Sequence, residues 1–316
     1  NADGEVREVS PDELKDALSE AGTAVWIDLL RPRRGVEEIL RDVLELSPLT
    51  VEDCLSPLRM PKIDPFPDGF GAFVAAFAAR VGDRGEPRLR AIEVNLVIGA
   101  RYLVTVRDGP VREVEETLDS RLRSEDSLTD EAGAVLAHAV LDALTDGHLP
   151  ALVSTAEQAE GLEEALDPRY ERRSARALEG LILLRQNLLS FRRLAVAQQE
   201  VLERLGRSTP VVREYLSDVE DNQREAEDMA DATQDYVEGV IETYRLRRDE
   251  RSEHAVRRLT VLAGIIGPLT LVSGIYGANF ARIPGAESPM GLPIFVAAQL
   301  LFAGAAVWFL YRRGLF

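Results

Sequence analysis

The chain has 316 residues, of which 46% are hydrophobic and 29% are charged, and its formal net charge at neutral pH is −17. This acidity, without patches of alternating basic and aromatic residues, argues against a nucleic-acid partner. The charge is also segregated, because segments 259–281 and 290–311 contain no charged residue. Each is long enough to cross a hydrocarbon core of about 30 Å, which needs roughly 20 apolar helical residues. The composition therefore predicts a multi-pass protein of the lipid bilayer with two C-terminal spans.

The N-terminal part of the chain predicts a small mixed sheet with helices. Ser47 and Pro48 in "SPLTVEDCL" are typical of the N-cap and first position of a short helix. An α/β domain is therefore predicted over residues 1–145. Its β-rich runs, separated by turn residues, cover 24–29, 71–80, 88–99 and 101–107.

After Pro110 the pattern becomes helical. Apolar residues recur at spacings of three and four from Leu181 to Leu205, as in a helix that packs along another helix. The motif "GRSTP" at 206–210 interrupts the series. A helical hairpin and a long stalk helix are predicted over residues 146–258.

A second apolar series runs from Val212 to Tyr244 in heptad-like register. Only Pro268 opposes a continuous helix over 211–280, and membrane helices tolerate proline. Such a helix would be about 100 Å long at 1.5 Å per residue. A single copy cannot bury its own apolar stripe, which predicts self-association.

Arginines flank the uncharged segments on one side. They precede the first segment in "RLRRDERSEHAVRR" and follow the second at Arg312 and Arg313, whereas the link between the segments carries only Arg282 and Glu287. The positive-inside rule then predicts that both termini are cytoplasmic and that Asn279 lies at the outer mouth. The predicted segments are a first transmembrane helix at 259–281, an outer loop at 282–289, a second transmembrane helix at 290–311 and a cytoplasmic tail at 312–316.

Small residues form one stripe on the first predicted span. Two interpretations of it remain open. The stripe can pack closely against another helix, or it can line a narrow symmetric pore in which the Thr270 hydroxyl and backbone carbonyls are oxygen ligands. The stripe consists of Ala263, Gly267, Thr270, Gly274 and Gly277.

Asn279, just beyond this stripe, also allows two interpretations. Asparagine is common at the C-terminal end of a helix. Repeated around a symmetry axis, however, its amide oxygens would form a ring that suits Mg²⁺, a hard cation that keeps its waters.

Acidic residues crowd the helix that precedes the first span. Most are predicted to form a solvated helix face. Where several copies of this helix pack around an axis, divalent cations would relieve the repulsion and provide a feedback gate. The acids are Asp218, Glu220, Asp221, Glu225, Glu227, Asp228, Asp231, Asp235 and Glu238.

Signatures of catalysis and of nucleotide binding are missing from the sequence. Its three histidines are scattered, and Cys54 is the only cysteine, which excludes a zinc finger and an intrachain disulfide. There is no Walker loop. The sequence therefore predicts a protein that is not an enzyme and does not use ATP.

At "LTVLAGIIGPLTLVSGIYGANF" the chain resembles the CorA family of divalent metal ion transporters, which includes a ZntB branch. The family signature is a Gly-Met-Asn tripeptide within "GIYGMNF", preceded by "PLT". Here Pro268-Leu269-Thr270 and Gly277-Ala278-Asn279 occupy those places. Upstream segments resemble the family in the same order: "WIDLLRP", "LSPLTVEDCL", "RMPKID", "YLVTVRD", "LLSFRRLAVAQQEVLERL" and "YLSDVED".

The resemblance implies a funnel-shaped homopentamer in the inner (plasma) membrane, with a long stalk helix that continues into a pore-lining span. Gly277, Ala278 and Asn279 would form the selectivity filter. Asp218 matches the family's regulatory metal-binding aspartate, and Asp83 is the candidate partner. The expected pore-lining residues are Thr270, Gly267, Ala263, the hydrophobic gate residues Leu259 and Val256, and Glu253.

Two departures from the signature leave the transported ion open. Ala278 stands where the signature has Met, and the loop "ARIPGAESP" is closer to the "GGIPG" of the ZntB branch than to the "MPEL" of the magnesium branch. The leading hypothesis is a channel for Mg²⁺, with Co²⁺ and Ni²⁺ as further cargo and Mg²⁺ also as regulator. The alternatives are a proton-coupled Zn²⁺ transporter and a non-conducting membrane scaffold or metal sensor.

Overall fold

The structure, a computed structural model, describes residues 9–31, 35–57, 60–67, 71–81, 89–123, 131–167, 169–208, 213–277 and 290–312. The chain divides into two compact units, Asn1–Ile241 and Glu242–Phe316. Three residues that the sequence singles out, Asp83, Ala278 and Asn279, lie outside the described residues.

The first unit contains a mixed sheet followed by helices, as predicted. The sequence did not predict strand β2. The elements are a 3₁₀ turn at Pro11–Glu13, α1 (Leu14–Ser19), β1 (Val25–Leu30), α2 (Val36–Glu38) with a π-helical turn at Ile39–Val43, α3 (Pro48–Leu55), β2 (Lys62–Pro65), β3 (Ala72–Val81), β4 (Leu89–Ile98), β5 (Tyr102–Arg107), α4 (Arg112–Arg123), α5 (Ala132–Asp146), α6 (His148–Glu164), α7 (Glu171–Ser208) and the first part of α8 (Arg213–Gly277).

The five strands form one sheet in the order β1-β5-β4-β3-β2. β1 pairs with β5 in parallel, with Val25 opposite Tyr102, and the other neighbours are antiparallel. Along β3 every residue from Ala72 to Ala79 is buried. A continuous buried run indicates a strand that is covered on both faces.

Alternate residues of β3 serve two different cores. Phe73 and Ala75 pack in a cluster with α1, α2 and α3, whereas Val74 and Ala76 pack in a cluster with α4, α5 and the distal part of α7. This alternation follows from the two-residue period of a strand. The sheet is therefore the middle layer of the first unit.

The start of α3 confirms the sequence prediction. Ser47 is the N-cap, its hydroxyl accepts a hydrogen bond from the Thr50 amide at 3.2 Å, and Pro48 is in the first turn. The serine oxygen satisfies an amide that has no partner within the helix.

Helices α7 and α8 bury their apolar stripes against each other and against the sheet unit. Leu188 on α7 and Ala226 on α8 are both completely buried in one cluster. Arg185 pairs with Glu238 at 2.8 Å and Arg192 pairs with Asp231 at 2.9 Å, so the two helices run antiparallel. The prediction that one chain cannot cover the stripe of α8 is therefore wrong for Leu216 to Val240, because α7 of the same chain covers it.

A buried polar junction joins α6, α7 and α8 to β3. The His148 ring lies 3.2 Å from Gln223 Oε1 through Nδ1 and 3.1 Å from the Phe77 carbonyl oxygen through Nε2. The Phe77 amide donates to Gln198 Oε1 at 3.0 Å. The Phe77 ring stacks on the imidazole with a centroid distance of 4.5 Å, and Phe191 meets it edge-on. His148 thus has a structural role in the core.

The second unit consists of the rest of α8 and of α9 (Gly291–Arg312). Helix α8 continues without a break through Pro268, as the sequence predicts. Both α8 and α9 contain segments long and apolar enough to span a membrane, which agrees with the two predicted spans.

Candidate ion pathway

Helix α9 packs along one face of α8. Val261 is buried, and Ile265 and Leu269 are half-buried on the same side. Farther along this side, the Ser273 hydroxyl accepts a hydrogen bond from Gln299 Nε2 of α9 at 2.8 Å. These four residues define the α9-facing side of α8.

The predicted pore-lining residues lie on the opposite side of the helix. With 100° per residue, the positions from Glu253 to Gly277 fall within a stripe of about 120°, centred about 160° from the α9-facing side. The side chains of Val256 and Leu259 are 60% and 67% exposed within the chain. The structure therefore places the described members of the set on one uncovered face: Glu253, Val256, Leu259, Ala263, Gly267 and Thr270.

The small residues of this stripe are not used to pack against α9. A Cβ atom built on Gly267 or Gly274 would meet no heavy atom within 4 Å, apart from the helix's own neighbouring backbone. Small side chains permit close approach of another helix, but within the described part of the chain none approaches here. The face is available to other subunits or to a pore.

Two oxygen atoms of the span can contact a cation: the hydroxyl of Thr270 and the backbone carbonyl of Gly264. The Thr270 hydroxyl donates to the Ile266 carbonyl at 2.8 Å, which leaves its lone pairs directed away from that bond. Pro268 has no N–H to donate to the carbonyl of Gly264. Gly277 is the last residue of α8, and the neighbouring filter positions Ala278 and Asn279 lie outside the described residues.

Asp218, the predicted regulatory residue, is exposed near the start of α8. It lies close enough to Asp142 of α5 to affect its titration. Burial, followed by the carboxylates of Asp146 and Asp218, raises the pKa of Asp142, while His138 opposes the increase. Asp142 and Asp146 were not predicted from the sequence, although their spacing of four places both on one face of a helix.

Most of the other acids of the run on α8 are exposed, as predicted for a solvated face, whereas Glu220, Glu227 and Asp231 are half-buried. Arg224 contacts Glu220 and Asp221 on its own helix. Burial, followed by other causes that include Asp231 and Asp228, raises the pKa of Glu227. Within the described ranges no three His, Cys, Asp or Glu side chains are arranged to hold a metal ion.

Comparison with known families shows to which family the chain belongs. The family model described as "CorA-like Mg2+ transporter protein" matches residues 21–312. The chain belongs to this family. It is therefore a membrane protein and a divalent metal ion transporter of the CorA family, in agreement with the resemblance seen in the sequence.

Individual relatives differ in the ion that their names state. The cobalt/magnesium transport protein CorA of Thermotoga maritima is 24% identical over 98% of this chain and 89% of its own length. The zinc transport protein ZntB of Cronobacter sakazakii is 25% identical over 94% of this chain and 89% of its own length. Near-equal identity to both means that the overall similarity does not distinguish the ions.

A solved structure agrees on the fold. The CorA magnesium transporter from Methanocaldococcus jannaschii superposes with a TM-score of 0.76 at 19% identity, over 93% of this chain and 92% of that one. The α/β domain, the long helices and the two C-terminal apolar helices thus form a CorA-type architecture.

Proposed function

We propose that the chain is one subunit of a homopentameric Mg²⁺ channel of the plasma membrane, with α8 as the pore-lining helix. The observation that carries the proposal is the uncovered stripe on α8, opposite the side that contacts α9. Five such stripes around an axis would enclose a path lined by small residues, with the Thr270 hydroxyl inside it. Both termini would be cytoplasmic, since the arginines flank the spans on that side.

Residues at the two ends of the stripe would have different roles. Gly277, Ala278 and Asn279 would form the outer selectivity filter, in which amide oxygens hold a hydrated cation. Leu259 and Val256 would form an apolar constriction that closes by dewetting, with Glu253 as an acidic ring beyond it. The inward-negative potential favours entry by about 2.3 kcal/mol per charge per 100 mV, so transport needs no ATP site.

The filter is tested by ion uptake into proteoliposomes, with Mg²⁺ and Zn²⁺ measured side by side for the wild type and Asn279→Ala. Loss of Mg²⁺ flux in the variant supports the filter and its ion. Flux that is unchanged in the variant would return Asn279 to a helix cap. Complete absence of flux in both proteins would support the scaffold or sensor alternative.

The gate is tested with two valines on α8 that lie about 160° apart around the helix. Val256 is on the stripe and Val272 is on the other side, and both are exposed within the chain. Val256→Ser should hydrate the constriction and raise resting flux, whereas Val272→Ser, the matched control, should leave it unchanged. Equal effects of the two substitutions would contradict a gate at this position.

Zn²⁺ is the second candidate cargo, favoured by the identity to a zinc transport protein noted above. A proton-coupled Zn²⁺ transporter predicts flux that responds to an imposed pH gradient. A Mg²⁺ channel predicts flux that follows the electrochemical gradient of Mg²⁺ alone.

Metal-linked gating would act through Asp218. Its carboxylate lies near that of Asp142, which is also close to Asp146, and a divalent cation shared with other subunits would relieve the repulsion between these acids. Asp218→Asn should weaken the inhibition of flux by internal Mg²⁺, whereas Asp235→Asn, an exposed acid on the same helix, should not. The same inhibition in both variants would argue against this role.

A further inference from the structure

A groove opens between α8 and α9 at the end of the helix pair that carries arginines. Its volume is about 320 Å³, within the range of small-ligand pockets. Most of the wall is apolar, and the polar residues lie at one end. The lining residues are Arg257, Thr260, Val261 and Gly264 of α8 and Ala306, Phe309 and Leu310 of α9.

The groove is lined by one small residue from each helix, Gly264 of α8 and Ala306 of α9. A Cβ atom on Gly264 would meet no heavy atom within 4 Å, apart from the helix's own neighbouring backbone, so there is open space in front of this backbone. Ala306 on α9 contributes only a methyl group. The adjacent Phe309 and Leu310 supply the apolar wall. A hydrocarbon chain fits such a surface, and a strongly hydrated solute does not.

The polar end of the groove carries the guanidinium of Arg257. Arg257 is exposed and has no ion-pair or hydrogen-bond partner in the part of the chain that the structure describes. On α9, the Arg312 guanidinium lies 5.5 Å from the centre of the Trp308 ring. A tryptophan with an arginine at the end of a membrane helix is typical of the interface between hydrocarbon and headgroups.

We propose that this groove binds an anionic glycerophospholipid, with an acyl chain between Gly264 and Ala306 and the phosphate at Arg257. The charge of the site and its position at the end of two spans select this ligand, because basic pockets between membrane helices recognise acidic headgroups. The proposal requires only that α8 and α9 span the membrane. It does not depend on which ion is carried.

The test is native mass spectrometry of the detergent-purified full-length protein, titrated with dioleoyl phosphatidylglycerol or with dioleoyl phosphatidylcholine. Arg257→Gln should weaken phosphatidylglycerol binding about fivefold, as expected for one arginine at a membrane surface. Arg258→Gln is the matched control, because the neighbouring arginine does not line the groove. Phosphatidylcholine should bind the wild type about as weakly as phosphatidylglycerol binds Arg257→Gln.

Filling the groove tests its apolar part. Gly264→Leu and Ala306→Leu fill the groove from α8 and from α9, and each should abolish phosphatidylglycerol binding. Gly304→Leu, at an exposed glycine of α9 outside the groove, should retain it. The use of two filling variants separates a blocked site from misfolding of either helix, and circular dichroism checks the helix content of each.

Three outcomes would overturn the proposal. The first is equal phosphatidylglycerol affinity in Arg257→Gln and Arg258→Gln, and the second is equal affinity for the two lipids in the wild type. The third is unchanged lipid binding in Gly264→Leu together with loss of the oligomer, which would assign the groove to a neighbouring copy of the chain. Since lipid binding is the readout, none of these outcomes affects the test of ion flux.

Discussion

Acidification is expected to destabilise the first unit through His148, whose ring is completely buried at the junction of α6, α7, α8 and β3. Burial lowers the pKa of His148 from about 6.5 to about 4, although the contacts with Phe77 and Gln223 and the charge of Glu113 act in the opposite direction. Between these two values the unfolded chain binds a proton that the native chain does not. The free energy of unfolding therefore falls as the pH falls through this window.

The size of the effect follows from the difference between the two pKa values. The two pKa values differ by about 2.5, which corresponds to about 3 kcal/mol in the free energy of unfolding. This stability is fully present above pH 6.5 and lost by about pH 4. His148→Gln removes the titrating group and introduces an amide that can still donate a hydrogen bond to the Phe77 carbonyl. The variant should be less stable than the wild type at pH 8. The difference between the two should shrink by about 2–3 kcal/mol on acidification to pH 4.5.

Guanidinium unfolding of the detergent-solubilised full chain measures this difference. The chain has two tryptophans, so Trp308→Phe leaves Trp26 of β1 as the only tryptophan reporter, and it lies in the first unit. His138→Gln, at a half-buried position on α5, is the matched control for replacing a histidine of the same unit by glutamine. Parallel pH profiles for the wild type and His148→Gln would refute the reasoning, because other acidic groups titrate equally in both.

Three further predictions use the same unfolding assay. Leu188→Ala removes a fully buried side chain of α7 and should cost about 2–5 kcal/mol, whereas Val196→Ala, 54% exposed on the same helix, should change the free energy by less than about 0.5 kcal/mol. Similar values for the two would mean that the α7–α8 core is not packed as described. Gly133→Val should lower stability by at least about 1–3 kcal/mol, since a Cβ atom there would lie 1.9 Å from the Gly99 carbonyl oxygen, and a neutral result would place α5 farther from the sheet. Arg192→Ala should cost no more than about 1 kcal/mol, because its pair with Asp231 is half exposed; a loss of several kcal/mol would indicate a more buried pair.

Features set by neighbouring residues could be predicted from the sequence. The start of α3 depends on the side-chain oxygen of Ser47 and on the fixed backbone of Pro48, and both act within one helical turn. The buried stripe of α7 from Leu181 to Leu205 follows from the 3.6-residue period alone. The membrane spans follow from length and charge.

Features set by distant residues could not be predicted in the same way. β2 has only four residues and ends in Pro65, so its sequence carries little strand signal, and it forms through pairing with β3 at the edge of the sheet. The His148 junction brings together Phe77, Gln198 and Gln223 from separate elements. Gln198 and Gln223, taken alone, look like ordinary residues of a helix surface, and Phe77 looks like an ordinary strand residue.

In the candidate pathway, too, some features follow from neighbouring residues and others from contacts between helices. Helical spacing predicted the stripe from Ala263 to Gly277, and the family resemblance added Glu253, Val256 and Leu259. Only the packing of α9 indicates that this side of α8 is left uncovered within the chain. Arg257 read as one of several flanking charges, and the groove beside it depends on Gly264 and Ala306 from two different helices.

The same chain covers the apolar stripe of α8 in its first part, whereas the stripe of small residues in its second part is uncovered within the chain. Helical periodicity therefore led to a wrong prediction for the first part, that one chain cannot bury the stripe, whereas in the second part it grouped the small residues on one face of α8. As far as Ile241 its apolar stripe is buried by the same chain, so periodicity there gives no information about other subunits. From Leu259 to Val272, within the predicted span, many large apolar side chains are exposed, and their contact with lipid in the membrane has no hydrophobic cost that would force subunits together. Association between spans then depends on close backbone approach at small residues. In the proposed pentamer, the uncovered stripe with Ala263, Gly267 and Gly274 would provide this close approach, so subunit packing and pore lining would be compatible uses of that face.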